Sequence, residues 1–209
     1  KLPIISPHGH VDPRMLAENK PFTNPAELFI YFDHYVTRLL HAQGFTLADL
    51  GKGKTDEESA RRAWAILCSN WHLLAGTASG YWLTSTFSQL FGIDETPNAE
   101  NAQHLYDTIA EHLGRPEFLP QALFSRFNIE VLATTDDPTD SLEFHAALKH
   151  SANFNGKVIP TFRPDAYLDP RANNWKTNVA KLIASANLAE VNYKNFVSAL
   201  ENRRAFFKQ

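Results

Sequence analysis

The sequence holds one cysteine, Cys68, so no internal disulfide can form. A lone thiol fits a reducing compartment, and its place in a tryptophan-rich helical stretch marks it as a small buried hydrophobe. No apolar run approaches the roughly 18 residues that a transmembrane helix needs, so no membrane partner is expected. The N-terminus has no charged-then-apolar leader. It begins with Lys1 instead of methionine, so residue 1 need not be the natural start. Together these features predict a cytoplasmic protein. There is no glycine-rich phosphate loop, which argues against a nucleotide, nicotinamide or pyridoxal site. Positive charge is not in excess. A net charge of −3 argues against nucleic acid as a partner and requires local cations to meet any anionic ligand. Internal repeats and low-complexity segments are also missing.

What remains is an ordinary globular composition. The 209 residues are 44% hydrophobic and 21% charged, enough to bury a sizeable core. The run "PII" near the start reads as a brief buried strand that breaks into the loop "SPHG". "NPAELFIYFDHYVTRLLHAQG" reads as one strong helix, capped by Asn24, with Pro25 in its first turn and Gly44 past its end. Leu28, Phe32, Tyr35 or Val36, and Leu39 recur there at helical spacing. In "TDEESARRAWAILCSNWHLLAG", Thr55 and Glu58 form a capping-box signature for a second helix. Three more helical stretches follow, the first stopped by Gly92 and the next by Gly114. From Asn128 the pattern changes. "IEVLATTDDP" and "GKVIPTFRPD" are β-rich runs with polar ends, separated by the helical "DSLEFHAALKH". Two helices close the chain, the last with Tyr193, Phe196, Val197, Leu200 and Phe207 on one side.

Strands alternating with helices imply an α/β fold built from parallel βαβ units. Three strands cannot close a barrel, so the chain reads as the first part of a larger fold. Residues 1–12 would form the first strand and its loop, 13–127 a helical insertion, and 128–209 the second and third strands with their helices.

Chemistry in parallel α/β folds collects at the carboxyl ends of strands. His8 and His10 flank Gly9 just after the first strand. Residues two apart on a strand share a face, so two imidazoles can aim at one point and form half of a tetrahedral zinc-type site. The competing reading is a pair of polar loop residues. The second strand ends in Asp136 and Asp137 before Pro138, where one aspartate is expected to cap a helix and the other to face the site. The third ends in Arg163, able to grip a carboxylate or to pair with Asp165 or Asp137. "DHY", residues 33–35, falls inside a predicted helix, where spacing alone favours a solvated His34 and a core Tyr35. His41, His72, His104, His112, His145 and His150 lack ligand-like spacing and read as surface or satisfied core. Trp64, Trp71 and Trp82 read as packing.

In order, "HGHVDP", "DHYVTRLL", "FGID", "ATTDDPTDSLEFH" and "IPTFRPD" make a specific set. The chain resembles the N-terminal part of uronate isomerases (glucuronate isomerases), of the metal-dependent amidohydrolase superfamily, over nearly its whole length. The resemblance implies the N-terminal part of a (β/α)8 TIM-like barrel with a helical insertion after the first strand. It implies interconversion of D-glucuronate with D-fructuronate and of D-galacturonate with D-tagaturonate. It implies that His8 and His10 bind a divalent metal, zinc being expected, and that His34 and Tyr35 reach the substrate as catalytic groups, against the reading from spacing. It implies that Arg163 contacts the hexuronate. Association of identical copies is left open.

The chain departs from the family pattern in places. Gly9 stands where a larger residue is common, and Ser88-Gln89-Leu90 stands where basic residues often precede "FG". The chain reaches Gln209 roughly halfway through a family member, before the aspartate expected after strand eight and a second arginine. Two rival readings follow: a metal-dependent hydrolase on the same superfamily scaffold, or an inactive fragment or interaction module.

Overall fold

The computed structural model describes residues 2–54 and 56–208. In chain order the elements are β1 (Ile4–Ser6), α1 (Pro13–Glu18), α2 (His34–Ala42), α3 (Glu57–Ser69), α4 (Ala78–Phe91), α5 (Ala102–Leu113), α6 (Pro120–Arg126), β2 (Ile129–Ala133), α7 (Glu143–Lys149), β3 (Lys157–Ile159), α8 (Trp175–Ser185) and α9 (Tyr193–Phe206). They form two compact units. One joins the residues up to Asn19 with those from Leu123 onward, and the other spans Lys20–Ala122.

The first unit is α/β. Its strands form a parallel sheet in the order β1-β2-β3. In this arrangement all carboxyl ends lie along one edge. The helix α7 makes the crossover from β2 to β3. A bulge between Ile4 and Ile5 shifts the register of β1 on β2. Leu16, Phe124, Leu132, Leu148 and Phe154 form one core cluster, and Tyr167, Val179, Leu182, Ile183 and Ala199 another.

Several expectations change here. β1 is an outer strand and is not buried, since Ile5 is 62% exposed. A helix not foreseen, α1, follows the His-Gly-His run. Asp12 caps it by accepting from the Arg14 N–H at 2.9 Å, Pro13 occupies its first turn, and Asn19 ends it in the left-handed region at φ 47°. The helix after β2 starts at Glu143, later than the pattern suggested. Asp140 accepts from the Leu142 N–H at 2.6 Å, and Leu142 itself has φ 58°. Neither Asp136 nor Asp137 is therefore a helix cap. On α9, Ala199 is buried and Phe196 and Leu200 pack against the cluster that includes it, while Tyr193, expected on the same side, is exposed.

The second unit is helical. Its centre is aromatic: Phe29 meets Phe87 edge-on at 5.2 Å, and Trp64, Trp71 and Phe91 gather round the same pair. Trp64 is fully buried and donates its indole N–H to the Ala102 carbonyl at 2.9 Å, tying α3 to α5. Trp82 is less buried than a packing role predicted. Cys68 is buried as expected, and burial pushes its thiol up to about 12. Asp56 caps α3 by accepting from the Ser59 N–H at 2.8 Å. The capping-box residue Thr55 lies outside the described residues. Gly92 ends α4 at φ 66°.

The single helix expected from Asn24 to Gly44 is broken. Asn24 does cap its start, accepting from the Glu27 N–H at 2.9 Å. A π-helical segment then runs over Glu27–Tyr31, and a new cap at Asp33 starts α2. The π segment rotates the face that follows. Phe29, Ile30, Val36 and Leu40 are buried, whereas Phe32 is 77% exposed and Tyr35 is 52% exposed. The apolar stripe read from strict helical spacing is displaced for that reason.

Candidate active site

Three strand ends of the first unit carry the groups singled out from the sequence. His8 and His10 follow β1, both exposed, and their Nε2 atoms lie 3.1 Å apart with the rings edge-on at 86°. The two imidazoles thus converge, within hydrogen-bond distance of each other. With metal–nitrogen bonds of about 2.0–2.1 Å, two imidazoles on one tetrahedral ion would place their nitrogens about 3.3 Å apart. The observed pair fits half of such a site. Among the described residues no group of three or more His, Cys, Asp or Glu side chains could hold a metal ion. Further ligands would have to come from elsewhere.

The close approach depends on Gly9. A Cβ there would meet the Ala133 carbonyl oxygen at 2.9 Å and Leu132 Cδ1 at 3.3 Å. The strand-one loop therefore lies directly on the end of β2. Thr135 secures it by donating its hydroxyl to the Gly9 carbonyl at 3.2 Å. The glycine that departs from the family pattern is required by this contact.

The end of β2 also holds the end of β3. Asp136 forms an isolated parallel bridge with Phe162. Its N–H donates to the Thr161 carbonyl at 3.0 Å, and its carbonyl accepts from the Arg163 N–H at 3.1 Å. The Asp136 side chain is buried, and Oδ2 accepts from the Thr161 N–H at 3.0 Å and from the Thr134 hydroxyl at 2.7 Å. Consecutive residues, Thr135 and Asp136, thus clamp the histidine loop on one side and the arginine segment on the other.

Arg163 is half exposed and pairs through Nε with Asp165, one of the structural partners anticipated for it. An exposed pair of this kind contributes only about 0–1 kcal/mol, so its guanidinium can exchange partners. Adjacent strands lie about 4.8 Å apart, which puts the β1 and β3 ends about 10 Å from each other across β2. Asp137 does not stand free at the strand end. It accepts from the Thr139 N–H at 2.8 Å and the Tyr167 hydroxyl at 2.6 Å. Burial opposes its ionisation, but these hydrogen bonds outweigh burial and hold the carboxyl below its usual range. Tyr167 is pushed the other way, up to about 12, by burial and then by the bond to Asp137.

His34 and Tyr35 belong to the second unit. They open α2 instead of lying within a longer helix. Asp33 accepts from the N–H groups of Tyr35 and Val36 at 2.8 and 3.1 Å. Both side chains are exposed, with ring centroids 4.2 Å apart, and Arg38 lies over the Tyr35 ring at 5.0 Å. A cavity of about 960 Å³ in this unit, lined in part by Trp71, His72 and Tyr81, includes none of the predicted site residues.

Two residues near the strand ends, Thr134 and His145, were given no part in the site by the sequence. Thr134 is fully buried, and its hydroxyl stands 2.8 Å from His145 Nε2. His145 is buried as well, and its Nδ1 has no hydrogen-bond partner among the described residues. Burial is the largest influence on it and pushes its protonated form down. Asp136, Asp140 and Asp12 pull the other way without reversing the shift. No spacing rule links a helical histidine to a strand threonine eleven residues earlier.

A model of the glucuronate isomerase family matches residues 1–209. The uronate isomerase of Cutibacterium acnes is 49% identical over 210 residues, covering 100% of this chain and 45% of its own length. That of Corynebacterium efficiens is 46% identical over 207 residues, covering 99% and 44%. The crystal structure of glucuronate isomerase from Caulobacter crescentus matches with a TM-score of 0.92 at 38% identity, over 100% of this chain and 44% of that one. Uronate isomerase from Thermotoga maritima matches with a TM-score of 0.88 at 27% identity, over 100% and 45%. The chain spans less than half the length of these relatives and corresponds to the N-terminal part of the solved structures.

Proposed function

The chain belongs to the glucuronate isomerase family, and on that premise we propose that it forms the N-terminal part of a hexuronate aldose–ketose isomerase. The observation that carries the reading is the convergence of His8 and His10, 3.1 Å apart, on the same sheet edge that presents Arg163. In the proposed whole, the three parallel strands are the first part of a (β/α)8 barrel and the residues between β1 and β2 contain a helical insertion.

The substrates proposed are D-glucuronate and D-galacturonate, converted to D-fructuronate and D-tagaturonate. The conversion removes a proton from C2 and returns one at C1, through an enediol. Arg163 would leave Asp165 to hold the sugar carboxylate by two parallel hydrogen bonds, fixing the orientation of the chain of carbons. His34 and Tyr35 are assigned to carry or donate protons, a role their N–H and O–H groups suit. His8 and His10 would hold a divalent metal, zinc by ligand type, together with ligands outside the described residues. When bound, it supplies Lewis acidity toward the sugar oxygens.

The test is isomerisation of both uronates by the full-length protein. Arg163→Ala should lower kcat/KM by about a hundredfold, in line with loss of a charged, bidentate contact. His41→Ala should leave it within about twofold, since exposed residues away from chemistry change little. His8→Ala should lower the bound metal per chain, read by elemental analysis. Equal effects of the Arg163 and His41 variants would sink the assigned role. Ester or amide hydrolysis without isomerisation would favour the hydrolase reading instead.

A further inference from the structure

A buried hydrogen-bond chain runs from α7 to the segment that carries Arg163. A hydroxyl has one proton, and the Thr134 hydroxyl lies 2.7 Å from Asp136 Oδ2 and 3.3 Å from the Ile159 carbonyl. A carboxylate oxygen offers only lone pairs, so the shorter contact takes the proton. Thr134 is then left to accept, and the Nε2 of His145 at 2.8 Å must be the donor. This order fixes the imidazole as the Nε2–H tautomer and leaves Nδ1 as the bare acceptor, which is the atom without a partner. Asp136, oriented in this way, receives the Thr161 N–H on Oδ2 and the Arg163 N–H on its own carbonyl.

We propose that His145 and Thr134 are positioning residues, which hold Asp136 so that its side chain and main chain together fix the Thr161–Arg163 segment and aim the Arg163 guanidinium. This rests on the reading of Arg163 as the group that binds the substrate carboxylate. Neither residue is placed against the sugar. Both are buried. Thr134 bonds Asp136 directly, and His145 acts through Thr134 while its Nε2 also lies 3.7 Å from Asp136 Oδ1. The arrangement answers a specific need. β3 ends at Ile159, so the continuous ladder of the strand stops there and only the isolated bridge of Asp136 with Phe162 reaches the arginine. Beyond that point Asp136 supplies three hydrogen bonds to residues 161 and 163, and an aspartate free to rotate would keep only those of its main chain.

The test uses the full-length enzyme and a double-mutant cycle. Thr134→Val keeps the shape and removes the hydroxyl. It should lower kcat/KM for the hexuronate by about tenfold, mainly through KM, the scale expected for one coupled contact. Thr134→Ser should restore activity to within about twofold of the parent, because it keeps the hydroxyl. In an Arg163→Ala background, Thr134→Val should add no further loss. His145→Gln, which keeps a donor, should retain more activity than His145→Leu. Should Thr134→Val fold poorly, this second pair carries the same comparison. The same tenfold loss in both backgrounds, or no loss in either with amide exchange at Thr161 and Arg163 unchanged, would overturn the proposal. Amide hydrogen exchange separates the two layers of inference. Faster exchange at Thr161 and Arg163 in Thr134→Val supports the positioning network, even where Arg163→Ala alone is harmless. Harmless loss of Arg163 would refute only the substrate role given to that residue.

Discussion

At the scale of single residues, local rules located the candidate groups but not the contacts that define them. His-Gly-His could be recognised from alternation along a strand. The need for Gly9 could not, because the atom that forbids a side chain, the Ala133 oxygen, is distant in sequence. Gly9→Ala should therefore destabilise the protein by about 1–3 kcal/mol, the usual result of forcing an atom against packed neighbours. A denaturant midpoint shift measures it, and an unchanged midpoint would mean that the loop moves away freely. His145 was read as surface or satisfied core and is buried with one nitrogen bonded and the other not. Its folded pKa is lowered, chiefly by burial, while an unfolded histidine titrates near about 6.5. The unfolded chain then binds the proton more readily, so stability is fully present above about pH 6.5 and declines as pH falls through the lower folded value. The fall of the thermal midpoint between about pH 7.5 and 5.5 should be shallower in His145→Gln than in the parent. Parallel curves would show that His145 gains its proton equally in both states.

At the scale of elements, most helices and strands were legible, α1 excepted, and phase was not. Gly92 correctly ended α4, and the alternation of β2, α7 and β3 correctly implied a parallel crossover. The segment from Asn24 to Gly44 shows what failed. Its composition favours a helix throughout, so nothing in the 3.6-residue period marks the π-helical stretch at Glu27–Tyr31. The one signal was Asp33, an N-cap residue type set immediately before His34. Read as a helix start, it would have put Tyr35 in solvent and Val36 in the core, as observed. Asp33→Ala should cost about 1 kcal/mol, the common value for a lost N-cap. It should also speed amide exchange at Tyr35 and Val36, whose N–H groups it receives. Protection unchanged at those two amides would show that the turn is held by packing instead.

At the scale of the whole molecule, the sequence suggested a helical region over residues 13–127 between the first two strands, and residues 20–122 form one of two compact units. The outer strands of the three-stranded sheet explain why the fold could be only partly read. β1 and β3 each expose isoleucines, Ile4 and Ile5 on one and Ile159 on the other. Apolar residues at an open strand edge are expected to be covered by further structure, so the burial assumed from hydrophobicity alone was not met in these residues. The second unit is different, because its own side chains gather into an apolar centre. Phe29, Trp64, Phe87 and Phe91 meet there, and the bond from Trp64 to Ala102, the hydroxyl of Tyr106 on Glu57 and the ion pair of Arg61 with Asp107 join α3 to α5. A unit with its own apolar centre and polar bonds between its helices has what a domain needs to fold alone. Residues 20–122 produced by themselves should give a helical spectrum and a single cooperative thermal transition. Trp64→Ala in that piece should lower its stability by about 3–5 kcal/mol, through the cavity it leaves. A gradual melt without a baseline, with strong binding of a hydrophobic dye, would show that this core forms only as part of the longer chain.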